Sequence, residues 1–337
     1  MTFLLTFIVI GIIATVHELG HFFVARMQGI PVKELSLGIG PKIMQKQGEH
    51  TMFSLRIIPI FAYVNLAGET SEEQNIENGY LNAKPGAKAK VLVAGSAMNI
   101  VLAIVIFMII FMGMGVLSDE PIIGSISMDS PAEEAGLLED DRILSINGEN
   151  VESWDEISEI ITSVEPVEID LILERDGENI ETQLTPYEDL ETGRLMIGIG
   201  RPIVKLNPFQ AIYRGIVESY TFIVLMVQAL FMMVTGAMPA ELSGPVGIAT
   251  MVKDASDAGL LSLMYFTAIL SLNLAIINML PIPGLDGGKL ILVLIEKIRG
   301  KRLPVEKEAL INMVGFFLII AIMVFATYND VLKLFGN

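Results

Sequence analysis

The chain has 337 residues, 52% of them hydrophobic, and a mean hydropathy of +0.59, which excludes an ordinary soluble domain. It contains no cysteine, so disulfide scaffolds, thiolate metal sites and cysteine nucleophiles are excluded as well. The net charge of −17 is concentrated: residues 118–202 hold 23 acidic and 4 basic side chains while the remainder is nearly neutral, a pattern that argues against a nucleic-acid partner.

In chain order, the first apolar segment runs from Thr2 to about Ala25 with Glu18 as its only charge. No basic region precedes it and no small-residue cleavage site closes it, so it reads as a retained membrane helix rather than a signal peptide. Residues 32–68 lack helical periodicity. Thr51–Ile57 alternates, with Phe53, Leu55 and Ile57 on one side, and Gly38, Gly40, Pro41 and Gly48 read as turns. A β-hairpin or small sheet on the cytoplasmic face is expected there. A second, uncharged span covers Val91–Leu117, preceded by Lys84, Lys88 and Lys90.

The acidic stretch that follows has short β-type runs at Pro121–Ile126, Arg142–Ile146 and Val167–Leu173 around one amphipathic helix, Trp154–Val164. Ser153 with Glu156 reads as a capping box, and Asn147-Gly148 as a hairpin turn. Further apolar runs cover Ser219–Ala240, Gly259–Leu285 and Ala309–Thr327. Residues 26–90 and 289–307 are rich in Lys and Arg, which places both in the cytoplasm and 118–202 outside. A crossing by 219–240 would reverse the side of 289–307. That run is therefore expected to be an interfacial helix, from near Pro208 to Pro239.

His17-Glu18-Leu19-Gly20-His21 carries the chemistry. On a helix, positions i and i+4 share a face, so both imidazoles can reach one metal while Glu18 addresses its water. Two of the chain's three histidines fall in this motif; the third, His50, sits in a polar turn and reads as solvated. Buried core histidines are the alternative, but unpaired ionisable groups cost roughly 2.5–3.5 kcal/mol each in a bilayer on insertion scales. A third ligand is needed. Asp286, in Asn278-Met279-Leu280-Pro281-Ile282-Pro283-Gly284-Leu285-Asp286-Gly287-Gly288, is a candidate because Pro and Gly break the helix there. Its other reading is the N-cap of a helix starting at Gly287.

Together the two motifs resemble the site-2 protease family (M50), in its RseP-like branch with a single PDZ domain. Ser130-Pro131-Ala132, Ala135-Gly136-Leu137, Asp141-Arg142-Ile143 and Ile146-Asn147-Gly148 resemble a PDZ domain in the permuted form of bacterial proteases. Gly38-Ile39-Gly40-Pro41 and Ala62-Tyr63-Val64 are similar to the family's membrane-associated hairpin, and Ser243-Gly244-Pro245 to its S-G-P motif. Gly95 to Asn99 resembles G-P-x-x-N with Ser96 in place of proline, and Asn99 is read as structural. The resemblance implies Zn2+ held by His17, His21 and Asp286, Glu18 activating water, and Asn278 binding the substrate backbone.

The fold class expected is a polytopic α-helical membrane protein of four transmembrane helices plus the hairpin, with an inserted extracytoplasmic α+β PDZ domain. Its divisions are residues 1–117, the PDZ domain at 118–202, an interfacial helix and linker at 203–256, and a C-terminal membrane part at 257–337. The partners are the lipid bilayer and a transmembrane protein or peptide, in a bacterial cytoplasmic membrane. The outer domain is expected to filter out substrates with bulky external parts. A metal or proton transporter is the rival reading, opposed by the lack of internal repeats.

Overall fold

The computed structural model describes residues 2–73, 75–163, 167–189, 193–239 and 243–335. Its elements are, in order, α1 (Thr2–Met27), β1 (Val32–Gln47), β2 (Met52–Leu66) and α2 (Pro85–Met114). There follow β3 (Val116–Leu117), β4 (Ser125–Ile126), α3 (Pro131–Glu134), β5 (Arg142–Ile146), β6 (Glu149–Asn150) and α4 (Trp154–Ser163). Then come β7 (Ile169–Arg175), β8 (Glu178–Leu184), β9 (Tyr187–Glu188), β10 (Leu195–Met196), β11 (Ile199–Gly200) and β12 (Ile203–Val204). The chain ends with α5 (Pro208–Thr235), α6 (Pro245–Asp257), α7 (Leu260–Asn278), α8 (Asp286–Arg299) and α9 (Val305–Phe335). Two compact units form: one from the chain up to Ile110 together with the chain from Ala211, the other from Phe111–Gln210.

In the first unit α1, α2, α5, α7 and α9 are long and apolar enough to cross a membrane. α1 packs against both strands of the hairpin and against α6 and α7. The apolar run Gly259–Leu285 stops being helical at Asn278, since Pro281 and Pro283 cannot continue the i to i−4 ladder. The linker holds a helix that the sequence reading did not anticipate: α6 starts at Pro245, where proline at N1 wastes no donor, and Gly247 N–H donates to Asp330 Oδ2 of α9 at 2.7 Å.

Gly38, Gly40 and Pro41 are not turns. They lie inside β1, and the register with β2 shifts around them. Gly38 and Gly40 have φ of +88° and +89°, and a Cβ on Gly38 would stand 2.6 Å from the Ile58 carbonyl oxygen. They are bulge positions that bend two long strands, so that sequence punctuation marked curvature rather than chain reversal. The reversal is at Gly48, whose N–H donates to Thr51 O at 2.9 Å. The bend lets residues 34–37 lie between two parts of β2: Leu35 is in register with both Phe53 and Val64. Residues 62–66 are left as the outer segment, against α1.

The second unit is built on a sheet of order β6-β5-β7-β8. Asn147 and Gly148 both have positive φ (51° and 81°), the conformation of a two-residue hairpin turn. Ser153 Oγ accepts the Glu156 N–H at 3.3 Å, while Glu156 Oε2 accepts from Glu152 N–H at 2.8 Å, one residue before the cap. Ile157 and Ile161 of α4 are buried against Ile143, Ile146, Leu171 and Leu173; Val164 lies outside the described residues.

Asp141 closes this core, its side chain 1% exposed. It accepts Arg175 Nε on Oδ1 and a terminal Arg175 nitrogen on Oδ2, both at 2.7 Å, and the Leu138 N–H at 2.8 Å. Burial pushes its carboxyl up, but the Arg175 fork and the Leu138 N–H outweigh burial and hold it below the usual carboxylate range. A depressed folded pKa stabilises the domain above the unfolded value of about 3.9, and that contribution disappears as pH falls through the folded value. Trp154, the chain's one tryptophan and buried here, reports this unit in the intact protein. Asp141→Ala is expected to destabilise the Trp154 fluorescence transition in urea by roughly 3 kcal/mol at pH 7. The gap between variant and wild type should narrow as the titration is repeated below pH 4.

Candidate metal centre

α1 brings the two imidazoles of its motif onto one face, ring centroids 4.7 Å apart and Nε2 atoms 3.0 Å apart. Both rings are buried. His21 Nδ1 lies 2.7 Å from Val91 O of α2, and because a carbonyl only accepts, Nδ1 carries a proton; in the neutral ring Nε2 is then a lone pair free for a metal. His17 Nδ1 faces the Asn99 amide at 3.5 Å. Asn99 is fully buried and its Oδ1 has no partner, so turning the amide would let Oδ1 accept from His17 Nδ1 and leave that Nε2 bare too. Ser271 Oγ of α7 holds the Asn99 carbonyl at 2.9 Å. The lone amide in an uncharged run was the signal for this contact; read as structural, Asn99 in fact lies beside the histidine pair.

Asp286 arrives from the other side of the chain. It is the first residue of α8, whose N-cap, Leu285, makes no side-chain cap. The Asp286 carboxylate does not cap a helix; Oδ2 stands 3.1 Å from His17 Nε2 and 3.2 Å from His21 Nε2. Gly284 (φ +92°) turns the chain after Pro283, and Gly287 and Gly288 sit so close under the carbonyls of Met279, Leu280 and Ile282 that no side chain fits. The loop between α7 and α8 thus folds over the first turn of α8 and aims Asp286 at α1.

Two triads share the histidines. His17, Glu18 and His21 offer donor atoms within 4.8 Å of one another, whereas His17, His21 and Asp286 lie within 3.2 Å. The second fits a metal better. Tetrahedral zinc with bonds of about 2.0–2.1 Å to N and O has ligand–ligand edges of about 3.3–3.4 Å. Three such atoms facing one another at 3.0–3.2 Å call for a proton or a metal cation among them. Glu18 is engaged elsewhere: its Oε2 accepts the Val64 N–H of β2 at 3.0 Å. Glu18, His21, Tyr63, Leu66, Asp286 and Lys289 line one cleft. Asn278 ends α7, half-buried, and makes no hydrogen bond to the quartet.

A histidine–carboxylate cluster set among helices long and apolar enough to cross a membrane defines a membrane-embedded metalloenzyme. The chain belongs to peptidase family M50, whose profile matches residues 5–322. It is similar to the zinc metalloprotease RasP of Oceanobacillus iheyensis, 30% identical, covering 99% of this chain and 100% of that one. RasP of Bacillus licheniformis is 31% identical over 99% and 100% of the two chains. The regulator of sigma-W protease RasP of Bacillus subtilis is 29% identical over 97% of each. Among solved structures, the PDZ domain of the SdrC-like protein of Listeria innocua aligns with 25% of this chain and 93% of its own, at 27% identity and a TM-score of 0.23. This chain is a zinc metalloprotease with Zn2+ as its cofactor, and a multi-pass membrane protein.

Gly95 of α2, read in sequence only as the start of a stretch resembling G-P-x-x-N, lies directly against the histidine pair. A Cβ there would stand 2.5 Å from His21 Nε2 and 2.6 Å from His17 Nε2. Gly95→Ala is therefore expected to express and insert normally while zinc content falls sharply. Residual activity should drop about 100-fold, the scale of a 1 Å misplacement at a reacting centre. Metal analysis of the purified variant beside its proteolytic rate checks this.

Proposed function

We propose that the chain performs regulated intramembrane proteolysis, cutting single-span membrane proteins or signal-peptide remnants at a site on the cytoplasmic side of the bacterial cell membrane. The observation that carries this reading is the convergence of His17, His21 and Asp286 with Glu18 beside them. His17 and His21 Nε2 and Asp286 Oδ2 would hold Zn2+. Bound there, the metal supplies a Lewis acid for the scissile carbonyl and lowers the pKa of water to about 7.

The chain's own groups do the rest. Glu18, one oxygen anchored on Val64 N–H, presents the other to take the proton of the attacking water and return it to the leaving amine. The Val91 carbonyl and Asn99 fix the rings. A transmembrane helix must unwind before its carbonyls can be attacked, and the outer β2 segment at 62–66 offers an edge on which the opened strand can pair. Asn278, at the end of α7, is placed to bind that strand's backbone.

The basic cytoplasmic stretches support four crossings, with α5 lying along the interface and the PDZ domain extracytoplasmic. Many large apolar side chains of α5 are exposed, Phe209, Tyr213, Tyr220 and Phe231 among them, and α5 is also long and apolar enough to cross, so the interfacial placement rests on the charge pattern. The acidic outer domain serves best as a filter admitting substrates already trimmed outside. One relative is named as a regulator of sigma-W; a membrane-anchored regulator fits the substrate class proposed.

Glu18→Gln separates these roles. The purified variant is expected to keep about one zinc per chain while losing all cleavage of single-span test substrates, and the wild type to show both. Zinc in neither protein would end the metal assignment, and turnover by the variant would remove Glu18 from the chemistry.

A further inference from the structure

We propose that the backbone N–H of Val64 is the group that positions Glu18, so that the sheet edge lining the cleft also sets the direction of the general base. The proposal rests on the reading of Glu18 as that base. Residues 62–66 form the outer segment of the curved sheet, with Leu35 on their inner side. The Val64 N–H is turned away from β1 and donates to Glu18 Oε2 at 3.0 Å. A charge-assisted bond of this kind is about twice as strong as a neutral one. A glutamate side chain has three torsions to fix, and one such anchor selects a single rotamer with one oxygen left for the proton.

The strand that carries the donor is itself braced. The neighbouring Tyr63 hydroxyl accepts from Arg56 at 2.6 Å, and the Arg56 guanidinium also reaches Glu34 Oε1 at 3.2 Å, Ser36 Oγ at 2.9 Å and Gly40 O at 2.7 Å. Leu66 is buried, and beyond it the Ala67 N–H donates to Pro31 O at 2.8 Å. Val64 therefore sits in a braced length of strand. Any displacement of that strand would move the base. The agent is a main-chain group, so no side-chain motif could have announced it.

The test deletes the N–H alone. In the full chain, Val64 is replaced by its α-hydroxy acid, turning the amide into an ester with the side chain unchanged; Val64→Pro removes the same donor by ordinary mutagenesis. The ester protein is expected to keep wild-type zinc content and KM while kcat falls by about 10- to 100-fold, as for a misdirected catalytic group. In the unmodified protein the Val64 amide should be protected from hydrogen exchange, and Glu18→Ala should release it at least about tenfold. This second measurement stands even where the ester protein folds poorly. Wild-type kcat in the ester protein, or exchange at Val64 indifferent to Glu18→Ala, overturns the positioning role. If Glu18→Gln is dead and the ester protein is fully active, only the positioning role falls. If Glu18→Gln itself turns over, the general-base reading falls and takes this inference with it.

Discussion

Three electron-pair donors, His17 Nε2, His21 Nε2 and Asp286 Oδ2, are held within 3.2 Å of one another among apolar helices, and much of the fold follows from the need to keep them there. In water such a cluster would be hydrated and would drift apart. In a bilayer each polar group must find its partner inside the protein. The outer faces of the rings meet the Val91 carbonyl and the Asn99 amide, and with that amide turned both inner faces would present lone pairs. A divalent cation held there would resolve the repulsion among those inner faces and make metal affinity and local folding one free-energy term.

Bringing Asp286 in from a separate helix requires breaking that helix, and the broken backbone must itself be sheltered. Pro281 and Pro283 end the ladder, Gly284 turns the chain, and Gly287 and Gly288 let the loop carbonyls lie on the first turn of α8. Gly315 of α9 completes the arrangement, because the Pro283 carbonyl passes where its side chain would be. On the opposite side Gly20 and Gly95 bring α1 and α2 close enough for a main-chain carbonyl to reach His21. At Gly95 and Gly315 glycine serves close approach, a use common in membrane interiors where tight packing replaces the hydrophobic drive between helices. Farther from the cluster, Lys88 is nearly fully buried and both its contacts, at 2.9 Å, are to Glu296, which ties α2 to the third turn of α8.

The legible part of this design was the part carried by side-chain identity and spacing. H-E-x-x-H specifies its own geometry because helix periodicity places residues 17 and 21 together, and proline in an apolar run announces a break wherever the chain is read. The acidic second unit was legible for a similar reason, through alternation, a capping pair and an Asn-Gly turn. What escaped was set by backbone in three dimensions. Gly38 and Gly40 look like turn residues in one dimension, and only the register shows that they bend a continuous strand. Gly95 opens a stretch that resembles a family motif, but its packing against the imidazoles is seen only in three dimensions. Asn99 stood out as the one amide of its run, but a buried amide looks alike in sequence whether it joins two helices or orients a ligand.

The small curved sheet has a place in this argument that no further helix could take. Helices satisfy their own backbone, which is why they cross membranes, and for the same reason they have no main-chain donor to lend in mid-span. The proposed cleavage of a transmembrane segment demands the opposite: that segment would give up its helical hydrogen bonds and find replacements at the cleft. An edge strand is the structure that carries unpaired N–H and C=O groups in a row, normally a liability and in the proposed reaction a resource. The fold shields that edge by packing it on α1 and bends it with bulges, so that it lines the cleft where Glu18 accepts one of its N–H groups. Polar side chains follow it inward, Tyr63 and Glu69 from the hairpin side and Lys289 from α8, with Lys289 and Glu69 3.7 Å apart. Such a lining admits water to a centre otherwise enclosed by hydrocarbon, and a hydrolase working inside a bilayer needs that water as much as it needs the metal.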